Sequence, residues 1–301
     1  DMAKLKYEFL DKYYQTNKLP IRTRVFANIN KINKLGTKLP GLSNWVSNSS
    51  LGRLVSSKFL GVHPNRQLPR FASTTFQQWF NNRQTIERSS PSTGTVVLYN
   101  DTFMNYNYPS IGQASVKLLE HAGYEVLLAN ADCCGRPMIS KGLLDEAKIR
   151  AEANIDALAG YVKQGFPIIG TEPSCILTFR DEYPELIKTE NAKLVGDNSY
   201  MIDEFLSMLH QKGELNLNFT TNKKQILFHG HCHQKSLIGT SASLAVLNLP
   251  ANYEAQLINA GCCGMAGSFG FEKEHYDISM QIGEQALFPA INNSDDDCEI
   301  A

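Results

Sequence analysis

The tripeptide Cys-Cys-Gly occurs twice, at Cys133–Gly135 and at Cys262–Gly264, 129 residues apart. The flanks repeat as well. "TVVLYND" (Thr95–Asp101) and "QILFHGHCH" (Gln225–His233) are apolar runs ending in polar loops. Next come the helical stretches "ASVKLLEHAG" and "ASLAVLNLP", then the short strands "YEVLLAN" and "YEAQLIN", and then each Cys-Cys-Gly. Self-similarity at a fixed offset is the mark of a duplicated supersecondary unit. After the first pair, Leu144, Ala147, Ala151, Ile155, Leu158 and Val162 recur at helical spacing, which predicts a helix over 142–164. A second helix is expected over roughly 272–287. The first copy continues through "FPIIGTEPSC" to Cys175, whose counterpart would fall near position 304, beyond Ala301. The expectation is a chain cut from a longer one.

Strands alternating with helices predict an α/β fold: two pseudo-repeated strand-helix-strand units with mainly parallel sheets. A helical segment precedes them, with stretches broken by Gly and Pro. The expected divisions are a helical segment at 1–93, a first unit at 94–220 and a second at 221–301, with a linker at Arg88–Gly94. In such folds ligands gather in the loops at the carboxyl ends of the strands. The cysteines other than Cys298 sit there; Cys298 reads as a packing residue in the last strand.

Seven cysteines in a chain of 301 residues do not describe a small secreted disulfide scaffold. Adjacent cysteines bridge to each other only with strain, so collected thiols in a reduced compartment point to metal. Neighbouring side chains diverge on a strand or a helix, so two adjacent thiolates converge on one centre only in an irregular loop. Gly135 and Gly264 give that loop its freedom. Ligands spread over several loops are unlike a zinc ribbon and are compatible with iron–sulfur clusters.

A net charge of −1 gives no bulk argument for nucleic acid or an anionic membrane, and no apolar run approaches the ~20 residues of a membrane span. The expected location is cytoplasmic or membrane-peripheral. His229, His231 and His233 alternate around Cys232, and one strand end cannot aim all three at one ion. His231 and His233, with Gly135 and Gly264, are expected around the ligands, bonding sulfur or backbone. Arg136 and Lys235 read as charge balance for thiolates, and "NNSDDD" (Asn292–Asp297) as a solvated turn. The aromatic-rich "TFMNYNYP" (Thr102–Pro109) is either packing over the sheet edge or the lining of a groove for a quinone or partner.

"NADCCGRP", "EPSC", "HGHCHQKSL" and "AGCCGMAGSFG" together resemble the cysteine-rich CCG-domain family over about Thr95–Ala301. That family includes the cysteine-rich subunit of heterodisulfide reductase and the iron–sulfur subunits of glycolate, glycerol-3-phosphate and lactate dehydrogenases. "DMAKLKYEFL" and "LPRFASTTFQQWF" are similar to segments of fused FAD-linked oxidases of D-2-hydroxy acids. The resemblance implies iron–sulfur (4Fe-4S) ligation by Cys232, Cys262 and Cys263, and by Cys133, Cys134 and Cys175. It places Asp101 at the leading cysteine of the first set, as an extra oxygen ligand. It implies an electron-transfer module, inactive alone, served by flavin-binding and ferredoxin-like domains of one parent chain and passing electrons to an acceptor such as a quinone. FAD would belong to the other part of that parent. The alternatives are heterodisulfide reductase-like thiol–disulfide catalysis at a cluster, and a zinc-binding docking module.

Overall fold

The structure, a computed structural model, describes residues 2–84 and 92–301, so the expected linker at 88–94 lies mostly outside the described residues. The chain divides into two compact units, Asp1–Tyr200 and Met201–Ala301.

The first unit opens with helices α1 (Met2–Thr16), α2 (Ile21–Ala27), α3 (Ile29–Gly36), α4 (Pro40–Asn48) and α5 (Ser50–Val55). A π-helical turn over Ser56–Leu60 follows, closed by Gly61 at φ +65°, and then α6 (Phe76–Asn82). Pro40 begins α4 at a position where its missing N–H has no intrahelical partner to lose. The helical segment does not stand apart. α1 packs on the helices that follow the first Cys-Cys-Gly, and its Tyr7 is buried with Met138, Ile139 and Ala147.

Strands β1 (Gly94–Leu98), β2 (Tyr124–Leu128), β3 (Ile168–Gly170) and β4 (Ser199–Met201) form a sheet in the order β2-β1-β3-β4. β1 is parallel to both β2 and β3. Its Val96, Val97 and Leu98 are fully buried, as a central parallel strand covered on both faces requires. Helices α7 (Thr102–Tyr106) and α8 (Pro109–His121) link β1 to β2, and α9 (Arg136–Ser140) and α10 (Leu144–Val162) link β2 to β3. Helices α11 (Pro173–Arg180), α12 (Glu182–Leu186) and α13 (Glu190–Asp197) lead to β4. α10 buries Ala147, Ala151, Ile155, Leu158 and Val162 of the predicted stripe, while Leu144 at its start is half-buried.

The second unit starts at α14 (Ile202–Gln211). Strands β5 (Lys224–Phe228), β6 (Tyr253–Leu257) and β7 (Glu299–Ile300) form a sheet in the order β6-β5-β7, all parallel to β5. This is the order β2-β1-β3 again. Helices α15 (Cys232–Leu237) and α16 (Ser241–Leu247) separate β5 from β6. A 3-10 turn (Phe269–Phe271), α17 (Tyr276–Glu284) and α18 (Leu287–Asn292) separate β6 from β7. The sequence puts the unit boundary near 220. The fold puts it before α14, whose Phe205, Leu206 and Leu209 are buried and which packs on α16. The helix expected over roughly 272–287 is α17, shorter at both ends: the chain turns at Ala286, α18 follows from Leu287, and the Phe288 ring packs back on Gly283, where a Cβ would come within 2.4 Å.

Candidate functional site

Six of the seven cysteines, all but Cys298, stand past the carboxyl ends of parallel strands in the two units. In the first, Cys133 and Cys134 occupy the loop after β2, and Cys175 lies in the first turn of α11 after β3. Cys134 and Cys175 are buried and their sulfurs are 3.1 Å apart, Cys134 donating to Cys175. Cys133 is partly exposed. Its thiol is held well above the usual range by hydrogen bonding with Cys134 and by burial, against weaker pulls from the Thr102 hydroxyl and the Gly135 N–H. On Cys134 the bond with Cys133 favours the thiolate, but contact with Cys175 and burial outweigh it and the pKa rises. On Cys175 the bond with Cys134 is likewise outweighed by burial and by the charges of Asp101 and Glu172, and the pKa is pushed up to about 12.

A polar frame holds this loop. Asn154 on α10 is 1% exposed. Its Oδ1 accepts from the Asp132 N–H at 2.9 Å, and its Nδ2 donates to the carbonyls of Cys133 (3.1 Å) and Asp132 (3.3 Å). Tyr183 is fully buried and donates to the Cys134 carbonyl at 2.9 Å, while accepting from Asn154 Nδ2 at 2.9 Å. Tyr99 donates to the Asp132 carbonyl at 2.8 Å. Arg150 and Asn30 hold the Asp132 carboxylate. Arg136 pairs with buried Glu182, a partner that charge balance for thiolates does not supply. Apart from Tyr99 after β1 and Arg136 beside the pair, these supports come from helices remote in sequence. The one signal for Asn154 is an amide on the buried stripe of an apolar helix.

In the second unit, Cys232 is the first residue of α15, and Cys262 and Cys263 follow β6. Cys232 is exposed and the pair is partly buried. Burial and the neighbouring Cys262 raise the Cys232 pKa, with Lys235 opposing. Cys262 Sγ accepts from the Gly264 N–H at 3.3 Å. Lys235 Nζ donates to the carbonyls of Ala260 and Gly261, both at 2.8 Å, so it fastens the loop. α15 is itself fastened: buried Gln234 donates to Ser243 Oγ at 2.6 Å and to Asp203 at 3.3 Å, and Ser243 also bonds Asp203. Gly264 is at φ +81°, and a Cβ there would lie 2.2 Å from the Ser279 carbonyl oxygen. Gly135, at φ +77°, would meet nothing closer than 3.6 Å.

The two units correspond element by element, with one shift of register. β1 and β5 start 130 residues apart, at Gly94 and Lys224, whereas β2 and β6 start 129 apart, at Tyr124 and Tyr253. By the first offset Asp101 corresponds to His231. Both are helix N-caps: Asp101 Oδ1 accepts from the N–H groups of Phe103 (2.9 Å) and Met104 (3.0 Å), and His231 Nδ1 accepts from that of His233 at 3.1 Å. The counterpart of Cys232 is therefore Thr102. Each acts on the first cysteine of its pair, Thr102 on Cys133 and Cys232 on Cys262. The family motif sets Asp101 against the leading cysteine; the strand register sets it one position earlier, as a cap. Asp101 is 2% exposed, and burial raises its pKa to about 6.

His229 follows β5, and burial, with Lys235 and His231 nearby, lowers its pKa; His233 is the second residue of α15. Cys298 immediately precedes β7 rather than lying within it, and lines an open groove of about 520 Å³ with Leu227 and Leu257. In "TFMNYNYP", Thr102, Met104 and Asn105 are buried, which is packing. Among the described residues, the donor triads closing within 4.8 Å include no cysteine. No helix among them is long and apolar enough to cross a membrane.

Comparison with known proteins follows the same division. Residues 99–180 match the cysteine-rich domain CCG. The chain is 28% identical over 283 residues to one subunit of the anaerobic glycerol-3-phosphate dehydrogenase of Escherichia coli K12, covering 93% of this chain and 70% of the relative. It is 25% identical over 301 residues to D-2-hydroxyglutarate dehydrogenase of the same organism, covering 97% of this chain and 29% of the relative. Lactate utilization protein A of an Exiguobacterium is 28% identical over 60% of this chain and 74% of its own. No solved structure matches significantly. The chain therefore carries a cysteine-rich CCG domain at residues 99–180, and its second unit repeats that domain's strand order and its Cys-Cys-Gly loop.

Proposed function

We propose that the chain is an electron-transfer module of a 2-hydroxyacid- or glycerol-3-phosphate-type dehydrogenase, and that its thiol sets hold iron–sulfur clusters. The observation that carries this reading is the doubled placement of thiols at the carboxyl ends of two like-ordered parallel sheets. The donor chemistry fits: soft sulfur donors from separate loops, with backbone N–H groups aimed at sulfur, as at Gly264 on Cys262.

The residues divide as follows. Cys133, Cys134 and Cys175 would hold one cluster, with Thr102 at the leading position, and Cys232, Cys262 and Cys263 the other. When bound, such a group supplies a one-electron redox site. Asn154, Tyr183 and Tyr99 fix the first loop so that the sulfurs keep their places, and Lys235 does so for the second. Flavin chemistry, substrate oxidation and a quinone acceptor belong in this reading to the partners of the module.

The test is redox cycling. The chain, reconstituted anaerobically with iron and sulfide, should show visible charge-transfer absorption that dithionite bleaches and a mild oxidant restores. A protein that binds iron yet cannot be reduced and reoxidised would reject the electron-transfer role.

A further inference from the structure

The net charge of −1 conceals an uneven distribution. Between Asp11 and Glu87 the chain has twelve Lys and Arg and not one Asp or Glu. Within this basic stretch, α4, α5 and the π-helical turn place their apolar residues outward. On α4, Leu42, Trp45 and Val46 share one face at helical spacing and are exposed, Trp45 at 70%, and no residue of the helix is buried. The face turned to the protein is polar: Asn44 exchanges two hydrogen bonds with the Phe71 backbone, at 2.8 and 2.9 Å. Leu51 (71%), Leu54 and Phe59 (67%) extend the exposed apolar row along α5 and the turn. Arg53 and Lys58 lie within the same segment, in the last turns of their elements. An amphipathic helix normally buries its apolar stripe; here the stripe faces solvent and the polar side faces the fold.

We infer that residues 39–59 form a docking surface for an anionic lipid membrane, lying in the headgroup region and not crossing it. The charge decides among occupants. A second copy of the chain would set one carboxylate-free basic block against another, which like-charge repulsion opposes. A protein partner would need shape complementarity to protruding Trp, Phe and Leu side chains, and the recess beside Trp45 is lined by Asn44, Asn48, Ser49 and Arg70 rather than by apolar groups that would seat an apolar anchor. A fluid apolar phase behind a layer of negative charge needs no matching shape. It takes aromatic and Leu side chains between flanking Lys and Arg. This inference stands independently of what the cysteines bind.

The experiment is vesicle flotation of the full chain, with Trp45 emission read in a Trp79→Phe background. Vesicles are phosphatidylcholine alone or with about a third phosphatidylglycerol. The expected result is partitioning onto the anionic vesicles only, with a blue shift of Trp45, weakened by raising the salt to about 0.5 M. Trp45→Ser with Phe59→Ser should lower partitioning at least about tenfold, and Arg53→Gln with Lys58→Gln about fivefold per charge. Because these side chains are exposed, circular dichroism and thermal unfolding should not change. Three results would overturn the inference: equal partitioning onto neutral vesicles, full binding by the double Ser variant, or no binding by the wild type. A concentration-dependent dimer, abolished by Trp45→Ser with Phe59→Ser in a chain that ignores vesicles, would assign the face to self-association instead.

Discussion

Asp101 and His231 occupy one position in the two units: each follows the leading strand, and each caps the next short helix by accepting a backbone N–H two residues on. The relationship makes Thr102 the partner of Cys232 and separates capping from ligation. Asp101→Asn keeps the acceptor and should leave the native structure and the iron content close to wild type, while relieving the burial of the charged carboxylate. Asp101→Ala also loses the cap and should be about 1–2 kcal/mol less stable than Asp101→Asn in urea unfolding. Loss of iron from a well-folded Asp101→Asn protein would show that the carboxylate is a ligand after all.

The same carboxyl makes stability depend on pH. Burial raises its pKa from 3.8 to about 6 in the folded protein. The folded state thus binds more protons than the unfolded one between these values, and stability falls as pH rises through that window. The full cost at neutral pH is about 3 kcal/mol. Asp101→Asn does not titrate, so the metal-free variant should gain on the metal-free wild type by roughly that amount between about pH 3.5 and 7. Parallel stability curves for the two proteins would contradict this.

A hydroxyl stands where the second unit has a thiol, so Thr102→Cys should complete the first set. The variant is expected to retain more iron and sulfide in air than wild type, measured as the decay of visible absorbance. Unchanged decay would mean that position 102 does not face the bound group.

Asn154 and Tyr183 act on the Cys-Cys-Gly backbone from α10 and α12. Asn154→Ala leaves a buried N–H and two carbonyls short of partners and should cost about 2–3 kcal/mol. Asn154→Asp keeps the shape and the acceptor but loses the donor, and should also lower reconstituted iron. An Asn154→Ala protein as stable as wild type would remove the frame from the account.

The two loop glycines should differ. Gly264→Ala must adopt φ near +81° and drive its Cβ into the Ser279 carbonyl, so a loss above about 2 kcal/mol is expected. Gly135→Ala meets only the backbone strain, about 1 kcal/mol. Chemical denaturation of both variants gives the comparison, and equal losses would argue against the packing at Gly264.

The repeat, the parallel sheets and the positions of the six thiols are legible in the sequence, because duplication leaves matched flanks and strands ending in cysteine loops. The motif places Asp101 one residue out because the offset between copies changes from 130 to 129 between the first and second strands, and only pairing reveals where. Asn154 and Tyr183 reach the loop through tertiary packing, which local patterns do not encode. The unit boundary moves to Met201 because α14 buries its apolar side with α16. The basic block before Glu87 vanishes in a net charge that sums the whole chain, and its meaning appears only when the exposed row on α4 and α5 is seen.

The most direct measurement of the central claim is iron, zinc and acid-labile sulfide per chain after anaerobic reconstitution, for wild type, Cys134→Ser with Cys175→Ser, and Cys262→Ser with Cys263→Ser. The account predicts iron with matching sulfide in the wild type and a partial loss in each double variant, because each removes one of two sites. Zinc without sulfide, or metal content indifferent to all four cysteines, would contradict it.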